Sequence, residues 1–126
     1  GIAAALAHPD AAVFSLMGDG TAGFHFSEIE TAARNGASCV IVIGNDMRWN
    51  AEHQIQLREY GEDRLIGCQL GDARYDLACA AFGGHGEYVT TLDQLDSALL
   101  RAVASGKVAC VNVMIDGAPA PSPVRN

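Results

Sequence analysis

Two apolar runs, residues 12–17 and 39–43, each end in a short turn that carries an aspartate: Asp19 in Gly18-Asp19-Gly20-Thr21 and Asp46 in Asn45-Asp46-Met47-Arg48. Short runs with little polar alternation read as strands covered on both faces, and the stretch between them reads as a helix. Strand, turn, helix, strand is the repeating unit of a parallel sheet. Its right-handed crossover delivers both aspartates to one edge, where open α/β sheets take their ligands. Two carboxylates gathered there require a cation between them.

The rest of the chain extends this frame. Residues 1–7 look like the interior of a helix with no N-cap before it, so the chain reads as a piece of something longer, lacking its N-terminal part. That helix stops near His8, because Pro9 disfavours helical geometry in the residue before it. Ser27-Glu28-Ile29-Glu30 has capping-box spacing, which predicts a helix from about Glu28 that buries Ile29, Ala32 and Ala33 and ends at Asn35-Gly36. Residues 51–60 predict a polar helix burying little beyond Ile55 and Leu57, and Leu65 and Ile66 are candidates to pack inward. Residues 75–82 predict a small-residue core helix and 87–90 a short strand. Thr91-Leu92-Asp93-Gln94 is a second capping box, opening a helix with Leu92, Leu95, Leu99, Ala102 and Val103 on one face. A third buried strand follows over 108–115. The expected fold class is α/β, an open, mostly parallel sheet with helices on both faces. One domain is expected over 1–117, with a non-helical, mobile tail over 118–126 set by Pro119, Pro121 and Pro123.

Charge narrows the function. Fifteen acidic against 8 basic residues give a net charge of −7, which makes nucleic acid and anionic membranes poor partners. An anionic ligand is repelled too, unless a metal or a helix N-terminus receives it. Cys39, Cys68, Cys79 and Cys110 lack C-x-x-C spacing and read as reduced core residues, which favours the cytoplasm. No apolar run is long enough to span a bilayer, and no signal peptide is visible.

The turn Gly18-Asp19-Gly20-Thr21-Ala22-Gly23 matches G-x-G-x-x-G after a strand, and Asp46 ends the next strand, where a dinucleotide fold places its ribose-binding acid. Two physical points favour a metal-bridged diphosphate instead. A dinucleotide site needs its helix to start within the glycine turn, whereas the capping box here delays the helix to about Glu28. Asp19 would also set a carboxylate beside a pyrophosphate, and like charges 4 Å apart repel by about 4 kcal/mol at an intermediate dielectric. A hard divalent cation such as Mg²⁺ turns that repulsion into attraction. A third alternative is a non-catalytic α/β module whose two acids are solvated turn residues.

Gly18-Asp19-Gly20, the 24 residues 21–44, then Asn45-Asp46 resembles the signature of the thiamine-diphosphate (ThDP) enzymes, G-D-G followed at a similar interval by N-N. The resemblance covers almost the whole chain. It is similar to the C-terminal diphosphate-binding (PP) domain of the acetolactate synthase, benzaldehyde lyase and benzoylformate decarboxylase family. It implies ThDP and Mg²⁺ as cofactors, with metal ligands Asp19, Asp46 (where the family usually has asparagine) and the main-chain carbonyl of Arg48. Gly18, Gly20 and Thr21 would line the diphosphate, and Asn45 would order the turn. Such enzymes make or break a C–C bond beside the carbonyl of a 2-keto acid or 2-hydroxy ketone, as a transferase, lyase or decarboxylase. They work as homodimers or homotetramers, and their activating glutamate sits in the pyrimidine-binding domain of a neighbouring subunit. No catalytic residue in this chain matches it, so the chain alone resembles half a site. Arg48-Trp49-Asn50-Ala51 stands where acetolactate synthases tend to carry Gly-Met and is closer to the lyase branch.

Other residues have two readings each. Trp49 and Ala51 can line a substrate channel or simply pack. The Arg48 side chain can pair with a substrate carboxylate or neutralise Asp46 or Glu52. His25 and His53 lie near the two turns and can face substrate, with a surface or turn role the simpler account. His85 reads as loop, and Glu28 and Glu30 are explained by capping.

Overall fold

The computed structural model describes residues 1–119. Helix α1 (Ile2–Ala7) precedes strand β1 (Val13–Gly18), helices α2 (Asp19–Phe24) and α3 (Glu28–Arg34), and strand β2 (Cys39–Asn45). Helix α4 (Asn50–Tyr60), a short 3₁₀ turn (Glu62–Arg64), α5 (Tyr75–Ala81), β3 (His85–Val89), α6 (Leu92–Ala104) and β4 (Ala109–Met114) follow. The four strands are all parallel, in the order β1-β2-β4-β3. Register pairs Gly18 with Gly44 and Asn45 with Met114, so the strands end level and the two aspartates leave from the same edge.

Helices cover both faces of this sheet. On one, α1, α2, α3 and α5 supply Ala5, Ala22, Ile29, Ala32 and Cys79 against Cys39, Ile41, Ile43 and Cys110. On the other, α6 lays Ala98 and Ala102 on Val40, Val89, Ala109 and Val111. Small residues let these helices approach the sheet closely. All four cysteines are buried and free, and no helix of the described residues is long and apolar enough to cross a membrane.

Several local expectations need correction. A helix does begin inside the glycine turn: α2 starts at Asp19, directly after β1. Ser27 makes no side-chain cap and is already helical, at φ −59° and ψ −19°. An N-cap oxygen reaches the N3 amide only from an extended residue. Here the chain enters α3 through 3₁₀-type bonds from Glu28, Ile29 and Glu30 to His25, Phe26 and Ser27, so the cap geometry never arises. β1 is covered on one face only, leaving Phe14 exposed and Leu16 78% exposed, because it is an edge strand and α6 lies over the other half of the sheet. α4 buries nothing, and its Ile55 and Leu57 are exposed, as is Ile66, while Leu65 is half-buried. α6 presents Ala98 and Ala102 to the sheet, flanked by Leu95 and Leu99, which leaves Leu92 and Val103 outside.

Other expectations agree with the structure. Gly36 and Gly83 end α3 and α5 at positive φ, and the Thr91–Gln94 capping box forms, Gln94 Oε1 accepting from the Thr90 and Thr91 amides. The loop reading of His85 is corrected: it belongs to β3, and its ring pairs with Glu87. Of the proline tail, residues 120–126 lie outside the described residues.

Candidate functional site

Eight of the site candidates singled out from sequence line one cavity of about 340 Å³ at the carboxyl edge of β1 and β2: Gly18, Asp19, Gly20, Thr21, Asp46, Arg48, Trp49 and Ala51. Asp19, the first residue of α2, is only 2% exposed. Burial raises its carboxyl above the ordinary range, and the nearby Asp46 charge raises it further, against the amides of Gly20 and Arg48, which lower it. The two acids therefore sense each other across the turn.

The second turn has a strained and well-determined shape. Met47 is the one non-glycine at positive φ among the described residues, at 58°. The Asn45 side chain holds it there, Oδ1 accepting from the Met47 amide at 3.1 Å. Beyond it, Arg48 faces Gln69 in an isolated antiparallel bridge, closed by Trp49 N to Cys68 O at 2.8 Å and Leu70 N to Met47 O at 2.7 Å. In such a wide pair, the central residue's own amide and carbonyl point away from the partner strand. The Arg48 amide accordingly donates to Asp19 Oδ2 at 3.2 Å, and its carbonyl is turned to the same side. Tyr75, on α5, donates its hydroxyl to the Asp19 carbonyl at 3.0 Å.

Gly20 has a separate reason to be glycine. A Cβ there would come within 2.8 Å of Cδ2 and Cε3 of Trp49, whose indole lies over the turn. Phe24 meets that indole edge-on, 5.1 Å between ring centroids. His25 lines a second, more apolar cavity of about 400 Å³ together with Thr21, Met17 and Phe26. Arg48 forms no ion pair with Asp46 or Glu52 among the described residues, and its Nε is buried without a hydrogen-bond partner there.

The donor set fits a hard cation. Two carboxylates and a main-chain carbonyl would offer oxygen donors, and among the described residues no group of three or more His, Cys, Asp or Glu forms there. That leaves coordination positions for phosphate oxygens and water, the arrangement Mg²⁺ prefers. Sequence reasoning missed the Tyr75 contact with Asp19 and the buried Asn112 of β4, whose Oδ1 accepts from Asn45 Nδ2 at 3.1 Å. The one signal for Asn112 was a carboxamide inside an apolar strand run, and Tyr75 looked like ordinary core.

Comparison with known proteins identifies the class. Residues 1–113 match the family described as thiamine pyrophosphate enzyme, C-terminal TPP binding domain, and the chain belongs to that family. It is 42% identical over 115 residues to a probable acetolactate synthase of Mycobacterium bovis, covering 91% of this chain and 21% of that protein. It is 38% identical over 122 residues to a 2-hydroxyacyl-CoA lyase of Arabidopsis thaliana, again covering 91% and 21%. A ThDP-dependent 4-hydroxybenzoylformate decarboxylase of Rhodococcus jostii RHA1 superposes with a TM-score of 0.83 at 25% identity, over 91% of this chain and 22% of its own. The chain thus spans about a fifth of the length of these relatives.

Proposed function

We propose that this chain is the part of a ThDP-dependent C–C bond-forming or -cleaving enzyme that grips the cofactor's diphosphate through Mg²⁺. The observation that carries the reading is the Arg48 amide bound to Asp19, which puts both acidic turns against one cavity. Asp19 and Asp46 would supply carboxylate oxygens and Arg48 its main-chain carbonyl. Gly18, Gly20 and Thr21 would receive the diphosphate through main-chain amides and the Thr21 hydroxyl. The bound cofactor supplies the electron sink for cleavage beside a carbonyl. This chain's residues hold and orient it, with the Trp49 indole packed against Gly20 on one side of the turn. The substrate is a 2-keto acid or a 2-hydroxy ketone or acyl compound, and the lyase-like stretch 48–51 favours the lyase side. The activating glutamate comes from the pyrimidine-binding domain of a neighbouring subunit, within a homodimer or homotetramer.

Calorimetry of the full-length protein tests this. Mg²⁺-dependent ThDP binding supports it, and no binding with or without Mg²⁺ overturns it. The start of α2 at Asp19 joins the glycine pattern in favouring a dinucleotide, and metal-independent NAD binding would establish that reading instead. The isolated chain, as half a site, should bind ThDP weakly or not at all, and tight binding would refute the shared-site part of the proposal.

A further inference from the structure

The two acidic turns are tied together from beneath by a buried polar relay that runs from Asn45 of the motif to residues outside it. Asn45 and Asn112, on the neighbouring strands β2 and β4, are both fully buried. Asn45 Nδ2 donates to Asn112 Oδ1 at 3.1 Å and to the Ala73 carbonyl at 3.2 Å, while its Oδ1 takes the Met47 amide. Asn112 Nδ2 donates to the same Ala73 carbonyl at 3.3 Å and to Asp76 Oδ1 at 3.4 Å. Both N–H groups of each carboxamide are therefore donated and each oxygen accepts one bond, in a place where an unpaired group is costly. Asp76 is clamped in turn by Arg74, through Nε at 2.9 Å and a terminal guanidinium nitrogen at 2.6 Å, and the guanidinium lies 4.0 Å over the Tyr88 ring. One residue earlier than Asp76, Tyr75 bonds the carbonyl of Asp19.

We propose that the segment 73–76, with Asn112 as its hub, is a brace that fixes the separation and orientation of Asp19 and Asp46, making Asn112 and Tyr75 positioning residues for the divalent cation. The relay is direct. Asn112 orients Asn45, Asn45 holds Met47 in its left-handed turn, and that turn aims the Arg48 amide at Asp19. Tyr75 holds the opposite side of the gap. The inference rests on the proposed metal site, and a cation gripped by only two carboxylates and a carbonyl depends on their spacing more than one with a full protein cage.

The test titrates Mg²⁺ into full-length protein at saturating ThDP, by calorimetry, alongside melting of the cofactor-free protein and kcat at saturating Mg²⁺. Tyr75→Phe keeps the ring against Phe26 and should raise the Mg²⁺ midpoint about three- to tenfold, the equivalent of one lost hydrogen bond. Asn112→Leu, which keeps the branched skeleton but is larger and has no polar atom, should raise it more than about tenfold, because it leaves an Asn45 N–H without its partner. In both, kcat at saturating Mg²⁺ should stay near wild type. Val111→Ala, on the opposite face of the same strand, should melt lower and leave the Mg²⁺ midpoint unmoved. Wild-type midpoints in Tyr75→Phe and Asn112→Leu overturn the brace, as does a midpoint shift in Val111→Ala equal to theirs. Should Asn112→Leu fail to fold, Tyr75→Phe decides alone. Wild-type protein that shows no Mg²⁺-dependent ThDP binding refutes the metal site itself, an outcome distinct from failure of the brace.

Discussion

The indole of Trp49 lies on the bare Cα of Gly20, where a single added carbon would meet ring atoms at 2.8 Å. Gly20→Ala must therefore push the indole away from the turn or shift α2 from the end of β1. Overpacking of this kind costs about 1–3 kcal/mol. The expected outcome is ThDP affinity at least tenfold weaker (about 1.4 kcal/mol) at saturating Mg²⁺, with Trp49 emission shifted. Unchanged affinity would mean that the Trp49–Gly20 contact plays no part in binding.

Asp19 faces the opposite substitution test. Its carboxyl is buried, bonded by the Arg48 amide and close to the Asp46 charge. Asp19→Ala in the full-length protein should abolish Mg²⁺-dependent ThDP binding and activity together, and retained activity would remove Asp19 as a ligand.

Asp46 stands where the resembling family usually has asparagine. Asp46→Asn keeps an oxygen donor and removes one negative charge. The Mg²⁺ midpoint should rise by less than about tenfold, while ThDP affinity at saturating Mg²⁺ is preserved or improved, because less repulsion faces the diphosphate. Asp46→Leu should lose both. Equal behaviour of the two variants in calorimetry would exclude a ligand role at this position.

Glu87 gives a pH dependence away from the site. Hydrogen bonds from Arg101, at 2.9 and 2.6 Å, hold its carboxyl below the ordinary glutamate range, with His85 adding to the effect against burial. A depressed folded-state pKa stabilises the fold above the unfolded-state value and loses that contribution as the pH falls through the folded-state value. Wild type should thus lose stability on acidification, where Glu87→Gln starts lower at neutral pH and falls less. The difference should be about 1 kcal/mol or less, since Arg101 is largely solvated. Parallel curves from denaturant titrations at pH 7 and pH 3 would contradict this.

Ile43 in β2 is fully buried, whereas Ile66 is 79% exposed. Ile43→Ala should cost about 2–5 kcal/mol in chemical denaturation, the transfer and cavity terms of a core deletion. Ile66→Ala should cost under about 0.5 kcal/mol. Similar costs would mean that Ile66 is covered in the intact protein.

How much of this was legible beforehand follows from the range of the forces involved. The strands at 13–18, 39–45 and 109–114, the breaks at Pro9, Gly36 and Gly83, and the aspartate after each of the first two strands are written in local composition. Residue type within a few positions determines them. Helix entry was misread at Ser27 because a capping box states only that a cap could form. Whether Ser27 is extended depends on where α2 delivers the chain. The exposed faces of β1, α4 and α6 were misread for a similar reason: apolar content says that a residue can be buried, and position in the sheet decides whether it is.

What the amino-acid sequence determined by itself was the pair of acidic turns, their spacing and the parallel sheet that carries them to one edge. Only the tertiary structure decided how those turns are held. Asn112 reaches Asn45 across 67 positions, Tyr75 reaches Asp19 across 56, and the Arg48 amide reaches Asp19 across 29. Such bonds join residues whose separation along the chain carries no periodic signal, and they exist because burial makes each polar group find a partner wherever packing brings one.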